Sequence, residues 1–172
     1  MLENISMQLA IALLFLLNIL FLWKMIGQKS NLAKLGVFVF LLLPLLTVFF
    51  PQPRFLLDFF WWRLAGVGLI IVGWAIFVWV VRANPAVLEP EPEVLVTSGP
   101  YRYIRHPMYL ALVFIFVGWW WIFAAVYSFY FGIIILAELW LLAYFEEKLI
   151  LEPKFGQAYQ QFRRQAGMFW VK

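Results

Sequence analysis

Hydrophobic residues fill long uninterrupted runs of this chain, and polar residues gather in the short segments between them. A helix needs roughly 20 apolar residues to cross the hydrocarbon core of a bilayer, so these runs predict membrane-spanning helices. Five candidates are present, and their approximate bounds are 5–23, 35–50, 61–81, 108–124 and 127–145. The second run is short and is interrupted by Pro44. The pattern predicts an all-α integral membrane protein with about five transmembrane helices.

The last two runs are separated by a few residues near 121–127, which predicts a tight helical hairpin. Before them, the segment 82–107 contains several prolines, which disfavour a regular helix. After them, Phe155, Tyr159 and Phe162 recur at spacings of four and three, on one face of a predicted C-terminal helix. We expect either an amphipathic helix on the membrane interface or a lid over a site at the membrane surface. The chain then divides into about three N-terminal spans at 1–82 and a catalytic region at 83–172.

The distribution of Lys and Arg between alternate loops predicts the orientation. Eleven fall on one side and two on the other, and the excess marks the cytoplasmic side. This distribution predicts an external N-terminus, a cytoplasmic C-terminus and an odd number of spans. The start of the chain lacks a basic segment and a clear cleavage site, so we expect a retained first span. The cytoplasmic group comprises Lys24, Lys29, Lys34, Arg82, Arg102, Arg105, Lys148, Lys154, Arg163, Arg164 and Lys172, and the external group comprises Arg54 and Arg63.

Composition supports the membrane class and narrows the chemistry. The chain is 66% hydrophobic and only 13% charged, whereas soluble domains are nearer half apolar and a quarter charged. It contains no cysteine and one histidine, which excludes disulfides, thiolate nucleophiles and His-rich or Cys-based metal clusters. We therefore expect no metal site.

Polar residues cluster where the predicted hairpin would meet the cytoplasm. Pro107 suits the first turn of a helix, which makes His106 the N-cap beside Arg105, and helix N-termini of this kind bind anions. Glu146 and Glu147 lie at the other end of the hairpin, where carboxylates oppose the helix dipole and favour a cationic partner. A helix that continues past the membrane, with Lys148 compensating, is the alternative. A zwitterionic ligand between the two groups fits this pattern.

Glu138 stands apart in the middle of the fifth run, where a carboxylate is costly. A structural role, with the carboxyl protonated or hydrogen-bonded to Tyr or Trp, and a role in a substrate path both remain open. Arg102 is similarly open, because an interfacial anchor explains it as well as a ligand contact does.

The stretch "LVTSGPYRYIRHPMY", followed by "EE" and then "FGQAY", resembles the isoprenylcysteine carboxyl methyltransferase family, and more loosely the phospholipid N-methyltransferases. The resemblance covers residues 94–164. It implies an S-adenosylmethionine-dependent methyltransferase that acts on a lipophilic acceptor at the cytoplasmic membrane face. The implied partners are the lipid bilayer and that acceptor, with no nucleic acid. The implied cofactor-binding residues are Glu93, Val94, Leu95, Val96, Tyr101, Arg105, His106, Pro107, Met108, Tyr109, Glu146 and Glu147.

The part of the family pattern that holds the methyl acceptor is altered. Ala143 stands where the carboxyl methyltransferases carry an Arg that holds the substrate carboxylate, and Gln165–Gly167 replaces a basic segment. Arg163 and Arg164 are the candidates to substitute for that basic segment, and the implied catalytic residues are Arg163 and Glu147. Two other functions remain open: an NADPH-dependent membrane reductase on the same scaffold, and a non-enzymatic membrane protein.

Overall fold

The computed structural model describes residues 2–25, 43–56, 61–85 and 94–172. Within these ranges the chain forms α-helices, two short 3₁₀ turns at Thr47–Phe49 and Gly99–Arg102, and a π turn at Glu147–Leu151. No strand occurs in the same ranges, which confirms the all-α class for the described residues. The α-helices with separate bounds are α1 (Leu2–Met25), α2 (Trp62–Ala83), α3 (Pro107–Phe123), α4 (Val126–Glu146) and α5 (Glu152–Gln165).

The apolar runs predict these helices closely wherever both can be compared. The first, third, fourth and fifth runs correspond to α1, α2, α3 and α4, with ends that differ by three residues or fewer. Most of the second run lies at 26–42, outside the described residues. The number of five spans and the hairpin therefore stay predictions.

In the described parts of the chain, two helical stretches are long and apolar enough to cross a membrane. They are Trp62–Ala83 and the continuous stretch Val126–Gln165, which contains α4, the π turn and α5. Shorter apolar helices occupy Ile5–Asn18 and Pro107–Phe123. Length and apolar composition thus agree with a membrane protein, while the direction of each span stays a prediction.

One unit of the chain comprises Met1–Ile70 and Phe116–Glu138. Small residues let its helices approach closely, because a Cβ atom on Gly66 would lie only 2.8 Å from the carbonyl oxygen of Gly118. The Trp120 ring packs against Gly132 in the same way. Buried polar bonds add to this packing, and Gln52 Nε2 donates to the Ser128 hydroxyl at 3.0 Å.

The other unit comprises Ile71–Ile115 and Leu139–Lys172, and it contains the polar cluster. Its C-terminal helix buries Tyr159, Phe162 and Ala166, against which Leu95, Tyr101, Leu151 and Phe155 pack. This is the apolar face that the spacing of four and three predicts. Within α5, Gly156 has φ +51° and ψ −122°, a backbone conformation that suits glycine and bends the helix after Phe155.

The π turn between α4 and α5 has a local cause. Pro153 lies in the first turn of α5, and in a regular α-helix its ring would collide with the carbonyl group of Leu149. Widening the helix at Glu147–Leu151 relieves this collision. The helix therefore continues past Glu146, as one of the two interpretations of the carboxylate pair predicts.

Candidate functional site

The start of α3 is positioned by a proline and by the C-terminal tail. Pro107 is the first residue of α3, so His106 occupies the N-cap position as predicted. The backbone N–H of Arg105 donates to the Gly167 carbonyl at 2.8 Å, and that of His106 donates to the Met168 carbonyl at 3.2 Å. The tail after α5 thus accepts the hydrogen bonds of the two backbone amides that, from the sequence, we expect to bind an anion.

Glu147 is the centre of the polar cluster, and its side chain is almost fully buried. Its Oε1 atom accepts hydrogen bonds from Arg105 Nε at 2.8 Å and from His106 Nε2 at 2.9 Å. Its Oε2 atom makes weaker contacts, 3.4 Å from Arg105 Nη2 and 3.9 Å from Arg163 Nε. Oε2 is therefore the carboxylate oxygen with capacity for another donor.

The pKa of Glu147 reflects two opposed effects. Burial alone raises the pKa of a carboxyl group, but the hydrogen bonds from His106 and Arg105 and their charges lower it to about 2. Glu147 is therefore ionised at neutral pH although it is buried. A buried carboxylate held in this way is a common feature of ligand sites.

Arg105 joins Glu147 to the end of α5. Besides its two bonds to the carboxylate, its Nη1 atom donates to the Ala166 carbonyl at 2.6 Å and to the Arg163 carbonyl at 3.3 Å. The planar guanidinium makes these bonds together because its donors have a fixed fork geometry. Arg105 thus links the carboxylate, the helix end and the tail.

Arg163 carries the more accessible positive charge, since 44% of its side chain is exposed. Its Nη1 atom donates to Glu152 Oε1 at 2.8 Å, and Glu152 also pairs with Lys148 at 2.8 Å. Lys148 therefore balances Glu152, one helical turn away, and not the carboxylate pair that precedes it. The spacing of four between Lys148 and Glu152 is the sequence signal for this pair.

Glu146 lies on the other side of the His106 ring. Its Oε2 atom is 3.6 Å from His106 Nδ1, and a third of its side chain is exposed. The Tyr109 hydroxyl is another neighbour of this carboxylate. His106 thus lies between two carboxylates, Glu147 on Nε2 and Glu146 on Nδ1.

Two tyrosines complete the surroundings. The Tyr159 hydroxyl is buried without a hydrogen bond of standard geometry, and burial together with the neighbouring Glu147 charge raises its pKa. Burial also raises the pKa of Tyr101. A hydrogen bond with Asn84 lowers this pKa in part, and the nearby charge of Glu146 raises it further. Both hydroxyls are therefore neutral donors at physiological pH.

The structure brings most of the candidate residues to one end of this unit. Arg105, His106, Glu146 and Glu147 are in direct contact, with Tyr109 beside Glu146. Pro107 and Met108 follow in the first turn of α3, buried and half-buried respectively. Leu95 and Tyr101 pack against the α5 cluster, Val96 is half-buried, and Val94 is mostly exposed. Glu93 lies outside the described residues.

The two charged groups that the sequence places at the cytoplasmic end of the hairpin meet in the structure. The groups at 105–106 and 146–147 are closer than the hairpin argument requires, because Arg105 and His106 contact Glu147 directly, and the ligand between them stays a prediction. The helix that continues past Glu146 turns the Glu147 side chain towards the start of α3.

The sequence alone missed the residues that close the cluster from the C-terminal side. Tyr159 was assigned only to an apolar face, and the carbonyls of Ala166, Gly167 and Met168 carry no sequence signal as acceptors. Phe169 also contacts the site, since its ring centroid lies 6.1 Å from that of His106. Gly167 is the one available hint, because a Cβ atom there would lie 1.8 Å from the Trp170 carbonyl oxygen.

Chemically, this arrangement offers one buried, ionised carboxylate, a second carboxyl group that is partly exposed and a partly exposed guanidinium. It can hold a molecule that carries both an ammonium group or hydroxyls and a carboxylate. Among the described residues, no group of three or more acidic, His or Cys side chains is placed to hold a metal ion.

Comparison with known proteins points to the same region. A family model described as phospholipid methyltransferase matches residues 61–158, which is more than half of the chain. No curated protein and no solved structure gives a significant match. The matched residues include α2, α3, α4 and the whole of the Arg105–His106–Glu147 contact, and the family includes proteins like the isoprenylcysteine carboxyl methyltransferases. The chain therefore belongs to the phospholipid methyltransferase family.

Proposed function

We propose that this protein is an S-adenosylmethionine-dependent methyltransferase that acts on a lipophilic acceptor at the cytoplasmic face of a membrane. The observation that carries the proposal is the buried, ionised Glu147, held by Arg105 and His106 within the region that matches a methyltransferase family.

The chemistry of the side chains fits the cofactor. S-adenosylmethionine carries an ammonium group, a carboxylate, two ribose hydroxyls and an adenine ring. The less engaged Glu147 Oε2 and the partly exposed Glu146 suit the ammonium or hydroxyl donors. The exposed part of Arg163 suits the carboxylate, and the unpartnered Tyr159 hydroxyl is a further donor beside Glu147. Leu95 and Tyr101 offer an apolar wall for the adenine.

In this proposal the chain's own residues bind and orient, and no covalent enzyme intermediate is needed. When bound, S-adenosylmethionine supplies a methyl group on a positively charged sulfur for in-line displacement by the acceptor. Glu147 fixes the cofactor, while Arg105 and His106 keep Glu147 charged. The C-terminal helix and tail exclude water, and such positioning contributes effective molarities of about 10⁵ M or more.

The membrane arrangement belongs to the same proposal. About five spans, a hairpin of α3 and α4, and a cytoplasmic lid formed by α5 would present the site to an acceptor that arrives sideways from the bilayer. The reductase alternative is less well supported, because the family model that matches residues 61–158 is described as phospholipid methyltransferase.

Calorimetry on the purified protein tests cofactor binding. Saturable heat with S-adenosylmethionine or its demethylated product is expected, with a loss of at least about tenfold in affinity in His106→Ala and Glu147→Gln. Lys154→Ala, at an exposed position of the same region, is the matched control and should bind normally. Absence of binding in the folded wild type would refute the proposal.

Transfer of a labelled methyl group into total membrane lipids identifies the acceptor. The expected product is one lipophilic species whose label depends on Glu147. If binding is normal and no lipid is labelled, the cofactor part of the proposal survives and the lipid acceptor does not.

A further inference from the structure

The hydrogen bond between His106 and Glu147 determines which ring nitrogen of the neutral imidazole carries the proton. Glu147 is ionised, since its pKa is lowered to about 2, and an ionised carboxylate only accepts hydrogen bonds. Its Oε1 atom lies 2.9 Å from His106 Nε2 and also accepts from Arg105 Nε. Nε2 is therefore the donor, and the Nδ1 atom of the neutral ring has a lone pair.

That lone pair faces a second carboxyl group. Glu146 Oε2 lies 3.6 Å from Nδ1, which is longer than an ordinary N–H···O hydrogen bond but close enough for a strong charge interaction. With the ring neutral and Glu146 ionised, two hydrogen-bond acceptors oppose each other. One added proton converts this contact into a charge-assisted hydrogen bond. His106 and Glu146 thus form a proton pair, which has the capacity to bind one proton between its two side chains.

The proton pair links the interior of the site to its surroundings. The His106 side chain is 4% exposed, whereas 32% of the Glu146 side chain is exposed. The His106 backbone is held by the Met168 carbonyl, and its ring lies between those of Tyr109 and Phe169, at centroid distances of 5.6 and 6.1 Å. A proton bound at the buried ring therefore has a route to water through Glu146.

The neighbours of the proton pair hold their protonation states near neutral pH. In the described residues, the charged and titratable side chains around the pair are Arg105, Tyr109, Glu147, Tyr101, Tyr159 and Arg163. Arginine and tyrosine side chains lose their protons only well above neutral pH, and Glu147 binds one only well below it. A proton that this cluster exchanges near neutral pH is therefore exchanged by the proton pair.

A proton acceptor is useful in methyl transfer with one class of acceptor molecule. A carboxylate is already deprotonated at neutral pH, so it needs no base, and an ionised Glu146 repels it. An ammonium group has no lone pair until it loses a proton, and a thiol reacts mainly as the thiolate. An ionised Glu146 also attracts an ammonium group. The pair therefore fits an acceptor that brings a proton on its reacting atom.

We propose that His106 and Glu146 accept the proton of a methyl acceptor whose nucleophilic atom arrives protonated, as in an ammonium or a thiol group. The N–H or S–H bond breaks, and the proton binds between Nδ1 and Glu146 Oε2. The freed electron pair forms the bond to the methyl carbon, and the bond from that carbon to sulfur breaks with its electrons left on sulfur. Glu146 then returns one proton to water for each methyl group transferred.

This inference rests on the proposed function and names the acceptor class of the same site. Glu147 then serves the cofactor, and Glu146 serves the acceptor.

NMR of the histidine ring tests the proton pair without any ligand. His106 is the only histidine in the chain, so labelling with ¹⁵N-histidine reports this ring alone. We expect the neutral ring to carry its proton on Nε2 and the second proton to bind Nδ1 on acidification. In Glu146→Gln the second proton should bind at a pH lower by about one unit or more, because a neutral amide replaces the nearby carboxylate.

Glu152→Gln is the matched control for the ring measurement. It removes a carboxylate of the same cluster that pairs with Lys148 and Arg163 and not with the ring. The pH at which the ring binds its second proton should therefore change by less than about 0.3 unit.

Transfer of a labelled methyl group into total membrane lipids tests the role in catalysis. Glu146→Gln should lower the rate at pH 7 by about 10²-fold or more, which is the usual contribution of a general base. Its affinity for S-adenosylmethionine in calorimetry should stay within about threefold of the wild type. Raising the pH should restore part of the rate, since the acceptor then loses its proton unaided. Lys154→Ala, at an exposed position, should match the wild type.

The fate of the label in alkali identifies the acceptor class. An N-methyl or S-methyl product should release no labelled methanol, whereas a methyl ester would release it. Labelled methanol would thus overturn the inference and leave the proposed function standing. So would a neutral ring protonated on Nδ1, an unchanged ring titration in Glu146→Gln, or equal losses of affinity and rate in that variant. Absence of cofactor binding, or of any labelled lipid, would overturn this inference together with the corresponding part of the proposed function.

Discussion

Glu147 shows how neighbouring residues can keep a buried carboxylate charged. Arg105 and His106 donate to the same oxygen, and together they outweigh the effect of burial on the pKa. Removing the charge leaves the Arg105 guanidinium buried beside a neutral group. We expect Glu147→Gln to lower the free energy of unfolding by about 2–4 kcal/mol, since one partner of a buried pair is lost.

Chemical or thermal unfolding in detergent measures this loss. Glu152→Gln is the matched control, because it removes a more exposed carboxylate of the same cluster and should cost about 1 kcal/mol or less. If both variants lose the same stability, the burial of Glu147 has no energetic importance.

The same carboxylate predicts the response to acid. Its pKa is lowered from 4.5 to about 2 in the folded protein, so its ionised form stabilises the fold at every pH above about 4.5. That contribution, at most about 3 kcal/mol, is lost as the pH falls from about 4.5 towards 2. The unfolding temperature of the wild type should fall across this window more steeply than that of Glu147→Gln. Parallel curves would contradict the assignment.

Among the helices, α5 depends on one glycine. Gly156 combines φ +51° with ψ −122°, and open space surrounds the position of a Cβ atom. Any loss in Gly156→Ala therefore comes from backbone strain and not from a clash, and we expect about 1–3 kcal/mol. Gln157→Ala, at the next and exposed position, should change stability by less than about 0.5 kcal/mol. Equal effects would mean that the bend after Phe155 is not required.

The tail after α5 holds the start of α3 through backbone bonds. A Cβ atom on Gly167 would lie 1.8 Å from the Trp170 carbonyl oxygen, so Gly167→Ala must displace the tail. The amides of Arg105 and His106 then lose their acceptors, and their hydrogen exchange should speed up by about tenfold. Gly68→Ala is the control, because nothing lies within 4 Å of its added methyl group. Unchanged exchange in Gly167→Ala would show that the tail does not cap α3.

The sequence predicts the parts of this molecule that depend on local patterns. Apolar runs mark the helices, Pro107 marks the start of α3, and the spacing of Phe155, Tyr159 and Phe162 marks the buried face of α5. The tail carbonyls escape prediction because they depend on three-dimensional packing. The sequence places the charged groups at 105–106 and 146–147 near each other, but their direct contact through Glu147 is seen only in the structure.

At the scale of the whole molecule, the predicted orientation is open to a direct test, because the chain contains no cysteine. Single cysteines introduced at Arg54, Lys154 and Lys172 would therefore react without background. The excess of Lys and Arg predicts that Arg54→Cys reacts with a membrane-impermeant maleimide added outside intact cells. Lys154→Cys and Lys172→Cys should react only after the membrane is permeabilised.

All three positions are exposed, so a cysteine that fails to react with the maleimide lies on the other side of the membrane and is not buried in the fold. External reaction at Lys172→Cys would place the C-terminus outside. Because α5 and the tail close over Glu147 in the same unit, the site would then be on that side as well. Such a result would also exclude the proposed function, since the cytoplasm is where S-adenosylmethionine would have to reach this site.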